Sequence, residues 1–376
     1  MTPFARKLKL VDTHVNPDTQ RDKLAPDLSI YPIDDQPEGD AKTDFSKMHL
    51  FVEFKTAESS DPFCDPPDGN ERREFRFEKD SNDARLIRGQ LASYAAALAG
   101  SQFRVHVFCV LVCGKYARFI RWDRDGAIVT ERFSYIQQSD LLADFFWRYN
   151  YLDPLRKGYD TSVSSIDPNQ SGIQSTYFET LQKDNPAHRK FCILVVSDRV
   201  NAEDEKQFVV SFPPVYTARS PFGRGTRPML AFDMEKEKIV FLKDYWRADV
   251  DGMEKEGKIY ELLEKHKVPN IPPFGRGNDV RDHRTLTNTL REKTWACSSK
   301  EMVLLRQYRM TLDVVARPLT SFSSSREFVS AIADAMEGKT FFADFTHMTN
   351  SWVPQRMTMP TSMPMFFIVT LAWEIF

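Results

Sequence analysis

The sequence lacks a long apolar run, and this absence excludes the common ways of entering a membrane. The N-terminal segment MTPFARKLKLVDTH has no apolar core of the signal-peptide type. The final run MFFIVTLAWEIF has about a dozen residues, whereas a membrane-spanning helix needs about 20. We therefore expect no membrane partner, and a cytoplasmic or nuclear location.

Cysteine and net charge are also scarce. The five cysteines are odd in number and scattered, and Cys109 and Cys113 fall within the apolar run VHVFCVLVC, where buried free thiols are common. This pattern excludes a disulfide framework and a cysteine zinc site. A formal net charge of −2 gives no electrostatic reason to expect nucleic acid as a partner.

What the chain does contain is an alternation of strand and helix patterns in its first half. LFVEFK at 50–55 alternates as a strand, and the stripe across 84–98 is helical. The continuous apolar run at 104–113 predicts a strand buried on both faces. Asp125-Gly126 predicts a hairpin, and 139–150 predicts a second helix. These patterns favour an α/β unit, with a long exposed loop over 56–83 between its first strand and its first helix.

The second half predicts an antiparallel sheet with two helices. The strand segments are FCILVV, QFVVSF, MLAFD and KIVFLK. A helix over 253–265 carries a capping-box pattern, Asp251-x-x-Glu254. A further helix, REFVSAIADAME, has the apolar stripe Phe328, Val329, Ile332 and Met336.

The predicted fold class is α+β, with five segments along the 376 residues. In chain order they are an irregular arm at 1–45, an α/β domain at 46–156, a linker at 157–190, an α+β domain at 191–338, and a tail of different character at 339–376.

A glycine-rich segment precedes the predicted strand MLAFD. It reads Gly223-x-Gly225-x-x-Pro228, and glycines allow backbone N–H groups to approach phosphate oxygens in a tight turn between strands. Lys243 closes the following strand pattern, and Glu256 lies on the next helix, where it can face that lysine. Taken singly, each part has an ordinary structural alternative. The glycine motif is equally typical of a simple turn between strands, Lys243 of a solvated strand end and Glu256 of a solvated helix face.

Taken in order, these segments resemble the fungal-type protein kinase family. The resemblance rests on GRGTR, FLKDYWR, EGKIYELL, VPNIP and RGQLASYAAALAG, and covers roughly residues 45–337. It implies a kinase-like N-lobe and the beginning of a C-lobe after a family-specific domain. It also implies ATP and magnesium as cofactors, with Gly223, Gly225, Lys243 and Glu256 holding the nucleotide. The protein substrate is unspecified.

The catalytic half of that pattern is missing. The sequence contains no H-R-D-x-x-x-x-N and no D-F-G, and Asp344 is the one aspartate after Gly338. We assign no catalytic residue, and expect a kinase domain truncated before its catalytic loop and inactive in this chain. The alternative is a pseudokinase acting as an interaction module.

A second polar constellation lies in the first half. Glu53-x-Lys55 occupies one face of a strand, and Gln90-x-x-x-Tyr94 follows on a helix. This resembles the PD-(D/E)XK nuclease arrangement in its RecB-like form, with Asp44 completing a metal site. It implies a restriction-endonuclease-like domain and a magnesium site at Asp44 and Glu53, with Lys55 and Gln90 beside it. The alternative is a strand-end charge pair and an amphipathic helix.

Overall fold

The computed structural model contains two β-sheets and five α-helices among the residues that it describes. These residues are 5–18, 23–37, 42–67, 72, 75–182, 190–214, 217–297, 303–315, 321–349 and 367–369, with backbone alone at 170, 338–349 and 367–369. No described helix is both long and apolar enough to cross a membrane. The α+β class is confirmed.

The first sheet has the order β1-β2-β3-β4-β5-β6-β15, with β7 paired to β5. Its strands are β1 Leu8–Asp12, β2 Leu28–Pro32, β3 Leu50–Lys55, β4 Val107–Cys113, β5 Tyr116–Trp122, β6 Ala127–Thr130, β7 Phe133–Ser134 and β15 Phe367–Val369. Helix α1, Asn82–Ser101, connects the parallel strands β3 and β4, and α2 spans Ser139–Tyr151.

All seven residues of β4 are buried because the strand has a core on each face. Cys109 and Leu111 contact the cluster that includes α1. Phe108 and Val110 contact the cluster that includes α2. Coverage on both faces explains why β4 is apolar throughout rather than alternating.

The second sheet has the order β13-β14-β12-β11-β10-β9-β8. Its strands are β8 Val163–Ser165, β9 Lys190–Ser197, β10 Glu205–Phe212, β11 Arg227–Asp233, β12 Lys238–Ala248, β13 Phe274–Arg284 and β14 Leu305–Leu312. The helices here are α3 Ser175–Gln182, α4 Glu256–Lys265 and α5 Ser325–Thr349. Short 3₁₀ helices lie at Glu58–Ser60, Pro168–Gln170 and Thr287–Leu290.

Two segments predicted to be irregular contain regular or buried structure. Residues 8–12 and 28–32 of the predicted arm form the antiparallel pair β1 and β2 at the edge of the first sheet. In the predicted loop over 56–83, the rings of Phe63 and Phe77 stack 4.9 Å apart inside the core. Isolated apolar residues within polar sequence gave no periodic signal, so the pattern missed them.

The predicted linker also contributes to the second sheet. It contains β8 and α3, and buried Asp160 binds Arg309 of β14. Gln307 Nε2 donates to the same carboxylate at 3.1 Å. An isolated aspartate in a polar stretch has no sequence signature of burial, and only tertiary contacts supply its partner.

The two late helices differ from their predicted details. α4 begins at Glu256 with Lys255 as its N-cap and no side-chain cap, so the predicted capping box at Asp251 and Glu254 is wrong. In α5 the predicted helix is confirmed over 326–337, and Ser324 Oγ accepts from the Glu327 N–H. Its apolar stripe is exposed, with Val329 63% and Met336 62% accessible.

Candidate functional site

Lys243 and Glu256 form a close ion pair in the second sheet. Lys243 lies within β12, opposite Pro228 of β11 and Met310 of β14. Its Nζ is 2.7 Å from both carboxylate oxygens of Glu256, the first residue of α4. Since β12 continues to Ala248, Lys243 is a mid-strand residue and not a solvated strand end.

The first turn of α4 is held in place by a tyrosine hydroxyl. Gly257 donates its N–H to Tyr308 Oη at 3.0 Å. A Cβ built on Gly257 would lie 2.6 Å from that oxygen, so only glycine permits this approach. The adjacent Glu256 carboxylate is also favoured at a helix N-terminus, where the helix dipole is positive. These contacts aim Glu256 at Lys243.

Arg224 is a second cation at this site that the sequence interpretation missed. Its Nη2 lies 3.8 Å from Glu256 Oε2, and its guanidinium carbon lies 4.7 Å from the centre of the Tyr245 ring. Lys243 Nζ lies 4.6 Å from the same ring centre. Burial and the neighbouring Glu256 raise the pKa of Tyr245, so its hydroxyl stays protonated. The available sequence signal for Arg224 was its position between Gly223 and Gly225.

The glycine segment is part of a longer connection than predicted. It joins β10 to β11 through residues 213–226, and is not a tight turn. Gly223 and Gly225 have φ of 79° and 50°, in the left-handed region. Space beside Gly223 is open, whereas a Cβ on Gly225 would lie 2.5 Å from the guanidinium carbon of Arg124. A larger residue at 225 would therefore have to displace the Arg124 guanidinium from the glycine segment.

In the first sheet, Glu53, Lys55 and Gln90 are brought together as predicted for a polar cluster. Lys55 Nζ donates to Glu53 Oε1 at 2.7 Å and to Gln90 Oε1 at 3.0 Å. Gln90 Nε2 donates to Tyr94 Oη at 2.9 Å, and that hydroxyl donates to Ala25 O. Strand β3 and helix α1 thus position one lysine between a carboxylate and an amide.

The second acid of this cluster is Asp27, in the place predicted for Asp44. Phe54 N–H donates to Asp27 Oδ2 at 2.7 Å, and Asp27 N–H donates to Glu53 Oε2 at 3.4 Å. Asp44 instead accepts from the N–H and hydroxyl of Ser46, holding the turn before β3. The signal was Pro26-Asp27 directly before the apolar strand LSIY, in a segment interpreted as irregular.

Burial governs the charge of Glu53, whose side chain is 2% exposed. Desolvation raises the pKa of Glu53, and repulsion by Asp27 raises it further. The hydrogen bond from Lys55 acts in the opposite direction and lowers it. Tyr94 is also buried, which raises its pKa to about 12. The cluster consequently carries two acids and one lysine in a poorly hydrated place.

The residues present fit a divalent cation at one site better than at the other. Mg²⁺ is usually held by one or two carboxylates with water completing the shell, and Asp27 with Glu53 supply two. Beside Lys243 the described carboxylate is Glu256, which is engaged by the lysine. Across the described ranges, no group of three or more His, Cys, Asp or Glu side chains forms a metal cluster.

An antiparallel sheet with a mid-strand lysine bound to a glutamate at the start of the next helix defines a protein kinase-like N-lobe. The model of the fungal protein kinase family matches residues 72–344, more than two thirds of the sequence. The chain therefore belongs to the fungal protein kinase family. A search among curated proteins and another among solved structures each gave no match.

The match confirms the predicted family with different limits. It begins at residue 72 instead of 45 and ends at 344 instead of 337. Lys243, Glu256 and Gln90 lie within it, whereas Asp27, Glu53 and Lys55 precede it. Family membership therefore bears on the lysine–glutamate pair of the second sheet, and leaves the acidic cluster to be judged on its geometry.

Proposed function

We propose that this chain binds a nucleoside triphosphate at Lys243 and Arg224, and that it does not itself transfer the phosphoryl group. The observation that carries the proposal is the bond from Lys243 Nζ to both oxygens of Glu256 at 2.7 Å. A lysine held in this way on an N-lobe strand pairs with the α and β phosphates in protein kinases.

The charges of the site support a polyanionic ligand. Lys243 and Arg224 share the carboxylate of Glu256, which leaves one positive charge in excess. Their side chains are 24% and 53% exposed, so both can be reached from solvent. Cations at an accessible site favour phosphate oxygens, and arginine adds a planar donor fork.

The absence of transfer follows from what the sequence lacks. Phosphoryl transfer depends on a positioned base and on an aspartate that holds magnesium over the phosphates. The sequence has neither an H-R-D motif nor a D-F-G motif. Any magnesium at Lys243 would come with the nucleotide. Binding without turnover makes the chain a pseudokinase-type module.

A thermal-shift titration tests the binding. Mg-ATP should stabilise the chain by RT ln(1 + [L]/Kd), about 2.7 kcal/mol at a hundredfold excess over Kd. Lys243→Ala should remove the shift. Lys238→Ala is the matched control, since Lys238 lies on the same strand and pairs with Asp313 at 3.1 Å. No shift at millimolar Mg-ATP would overturn binding, and phosphorylation of a generic substrate would overturn the absence of transfer.

A second candidate function is metal-dependent phosphodiester hydrolysis at the first sheet. The observation favouring it is that Asp27 donates its N–H to Glu53 and accepts from the Phe54 N–H, which brings the two acids together, while Lys55 is held by Gln90. A divalent cation held by these acids would stabilise charge on a phosphate. Lys55 would orient a water, and Gln90 would keep the lysine in position.

Cleavage of single- and double-stranded DNA and RNA by the purified chain tests this second candidate. Cleavage should require Mg²⁺ or Mn²⁺ and be lost in Asp27→Asn and in Glu53→Gln. Asp44→Asn is the matched control, because Asp44 holds a turn outside the cluster. Activity that persists in Asp27→Asn would identify a contaminating nuclease, and no cleavage by the parent chain would exclude this function.

A further inference from the structure

The hairpin between β5 and β6 joins the first sheet to the glycine segment of the second. At its tip, Asp123, Arg124 and Asp125 are all buried although each carries an ionisable side chain. Arg124 is 5% exposed. Charged residues at a hairpin tip are normally solvated, so their burial needs specific partners.

Arg124 bonds to the glycine segment through both backbone and side chain. Its carbonyl accepts from the Gly223 N–H at 2.7 Å. Its Nη1 lies 3.3 Å from Pro221 O and 3.4 Å from Ser220 O. The guanidinium also lies against the α-carbon of Gly225, where a Cβ would be 2.5 Å from Cζ. One arginine therefore contacts four of the six residues from 220 to 225.

The aromatic residues beside this contact reinforce it. The rings of Trp122, at the end of β5, and Phe222 have centres 5.8 Å apart. Phe222 packs against the core of the first sheet, although it belongs to the segment that leads into the second sheet. The glycine segment is thus anchored to the first sheet by apolar as well as polar contacts.

The same hairpin has a second attachment to the second sheet. Asp123 Oδ2 accepts from the N–H groups of Leu286 and Thr287 at 2.9 and 3.1 Å. Asp125 Oδ2 accepts from the Asn288 N–H at 3.2 Å. These residues follow β13, so the hairpin contacts the second sheet at two points distant in sequence and cannot rotate freely about either.

Between these contacts lies Arg224, whose position depends on its neighbours in the segment. Its carbonyl accepts from the Trp246 N–H at 2.8 Å, while its side chain lies over Tyr245 near Glu256. Gly223 and Gly225, on either side, both contact Arg124. The residue that faces the phosphate site is flanked by two residues held by the first sheet.

We propose that Arg124 is a positioning residue of the nucleotide site, through which the first sheet holds the glycine segment so that Arg224 faces the phosphates. The proposal rests on the nucleotide binding proposed above and adds to it a dependence on the other sheet. The dependence is reciprocal, because a ligand that favours one arrangement of the segment also favours the hairpin contact that holds it.

The test is the Kd of Mg-ATP for four full-length chains, measured by titration calorimetry. Arg124→Ala should weaken binding by about two- to fivefold, equivalent to about 0.5–1 kcal/mol, the loss expected when Arg224 no longer faces the phosphates. Arg124→Lys, which keeps a donor but loses the fork, should recover part of the affinity. Arg132→Ala should bind as the parent, since Arg132 is 45% exposed and pairs with Asp65 in the first sheet.

Hydrogen exchange gives a readout that a merely structural arginine would not change. In the parent chain, Mg-ATP should slow exchange in the peptide covering 119–128, which carries no residue of the phosphate site. This measurement needs no variant, so it decides the matter even where Arg124→Ala fails to fold.

The outcomes separate this proposal from the one beneath it. Parent and Arg124 variants that bind Mg-ATP equally, or unchanged exchange at 119–128 on binding, would overturn the role of Arg124 and leave nucleotide binding standing. A parent chain that binds no Mg-ATP would overturn both.

Discussion

The two sheets each carry a lysine–glutamate pair with the same 2.7 Å contact, and the pairs differ in everything around them. Glu53 is 2% exposed and lies beside a second acid, Asp27. Glu256 is 22% exposed and lies beside a second cation, Arg224. An identical ion pair is therefore part of an acidic cluster in one sheet and of a basic cluster in the other.

This difference indicates which ligand each pair suits. Two acids and one lysine leave a negative charge in excess, which favours a cation. Two cations and one acid leave a positive charge in excess, which favours phosphate. The ion pair alone identifies neither ligand, because the third charged residue sets the sign.

Removing each lysine in turn should give the largest difference in stability between the two sites. Lys55→Met leaves Glu53 buried without its cation, so we expect about 3 kcal/mol of lost unfolding free energy at neutral pH. Lys243→Met leaves Glu256 partly solvated, so we expect about 1 kcal/mol or less. Urea denaturation of both variants beside the parent measures the difference. Equal losses would show that burial of Glu53 does not distinguish the pairs.

Ligands of opposite charge should each stabilise the chain by binding at one of the two sites. Mn²⁺ alone should raise the melting temperature through the acidic cluster, and Asp27→Asn should abolish that rise. Tripolyphosphate alone should raise it through Lys243, and Lys243→Ala should abolish that second rise. At a hundredfold excess over Kd, either ligand contributes about 2.7 kcal/mol. The comparison fails if Asp27→Asn removes the phosphate effect or if Lys243→Ala removes the Mn²⁺ effect.

The pH dependence should isolate Glu53. Burial raises its pKa above the ordinary value of 4.5, so the folded chain holds this proton more tightly than the unfolded chain does. Its stabilising contribution is full below pH 4.5 and is lost as pH rises through the raised pKa. With EDTA present, the unfolding free energy of the parent relative to Glu53→Gln should fall by up to about 1.4 kcal/mol per pH unit in that window. A constant difference across pH would contradict the desolvated site.

Arg224→Ala should give the smallest effect. Arg224 is half exposed, so its loss should weaken tripolyphosphate binding by only about 0.5–1 kcal/mol, or two- to fivefold. Arg85→Ala is the control, because Arg85 is an exposed arginine of α1 paired with Asp80. An unchanged Kd in Arg224→Ala would show that Arg224 does not contribute to phosphate binding by the basic cluster.

Local pattern predicted most of the elements and all but one charged residue of each site. Alternation found β3, a continuous apolar run found β4, and Asp125-Gly126 found the hairpin between β5 and β6. Motif spacing found Lys243 with Glu256. It failed for Asp27, because a polar segment between two short edge strands has too few apolar residues for a period to emerge.

By itself, the sequence determined the family, the order of strands and helices, and the two lysine–glutamate pairs, because these depend on local periodicity and short spacing. Only the tertiary structure decided their third partners, Asp27 and Arg224, and the contact of Arg124 with the glycine segment. Those residues lie 26, 32 and about 100 positions from what they contact. Contacts at such separation depend on how strands pair and how the two sheets meet, and no local pattern encodes that.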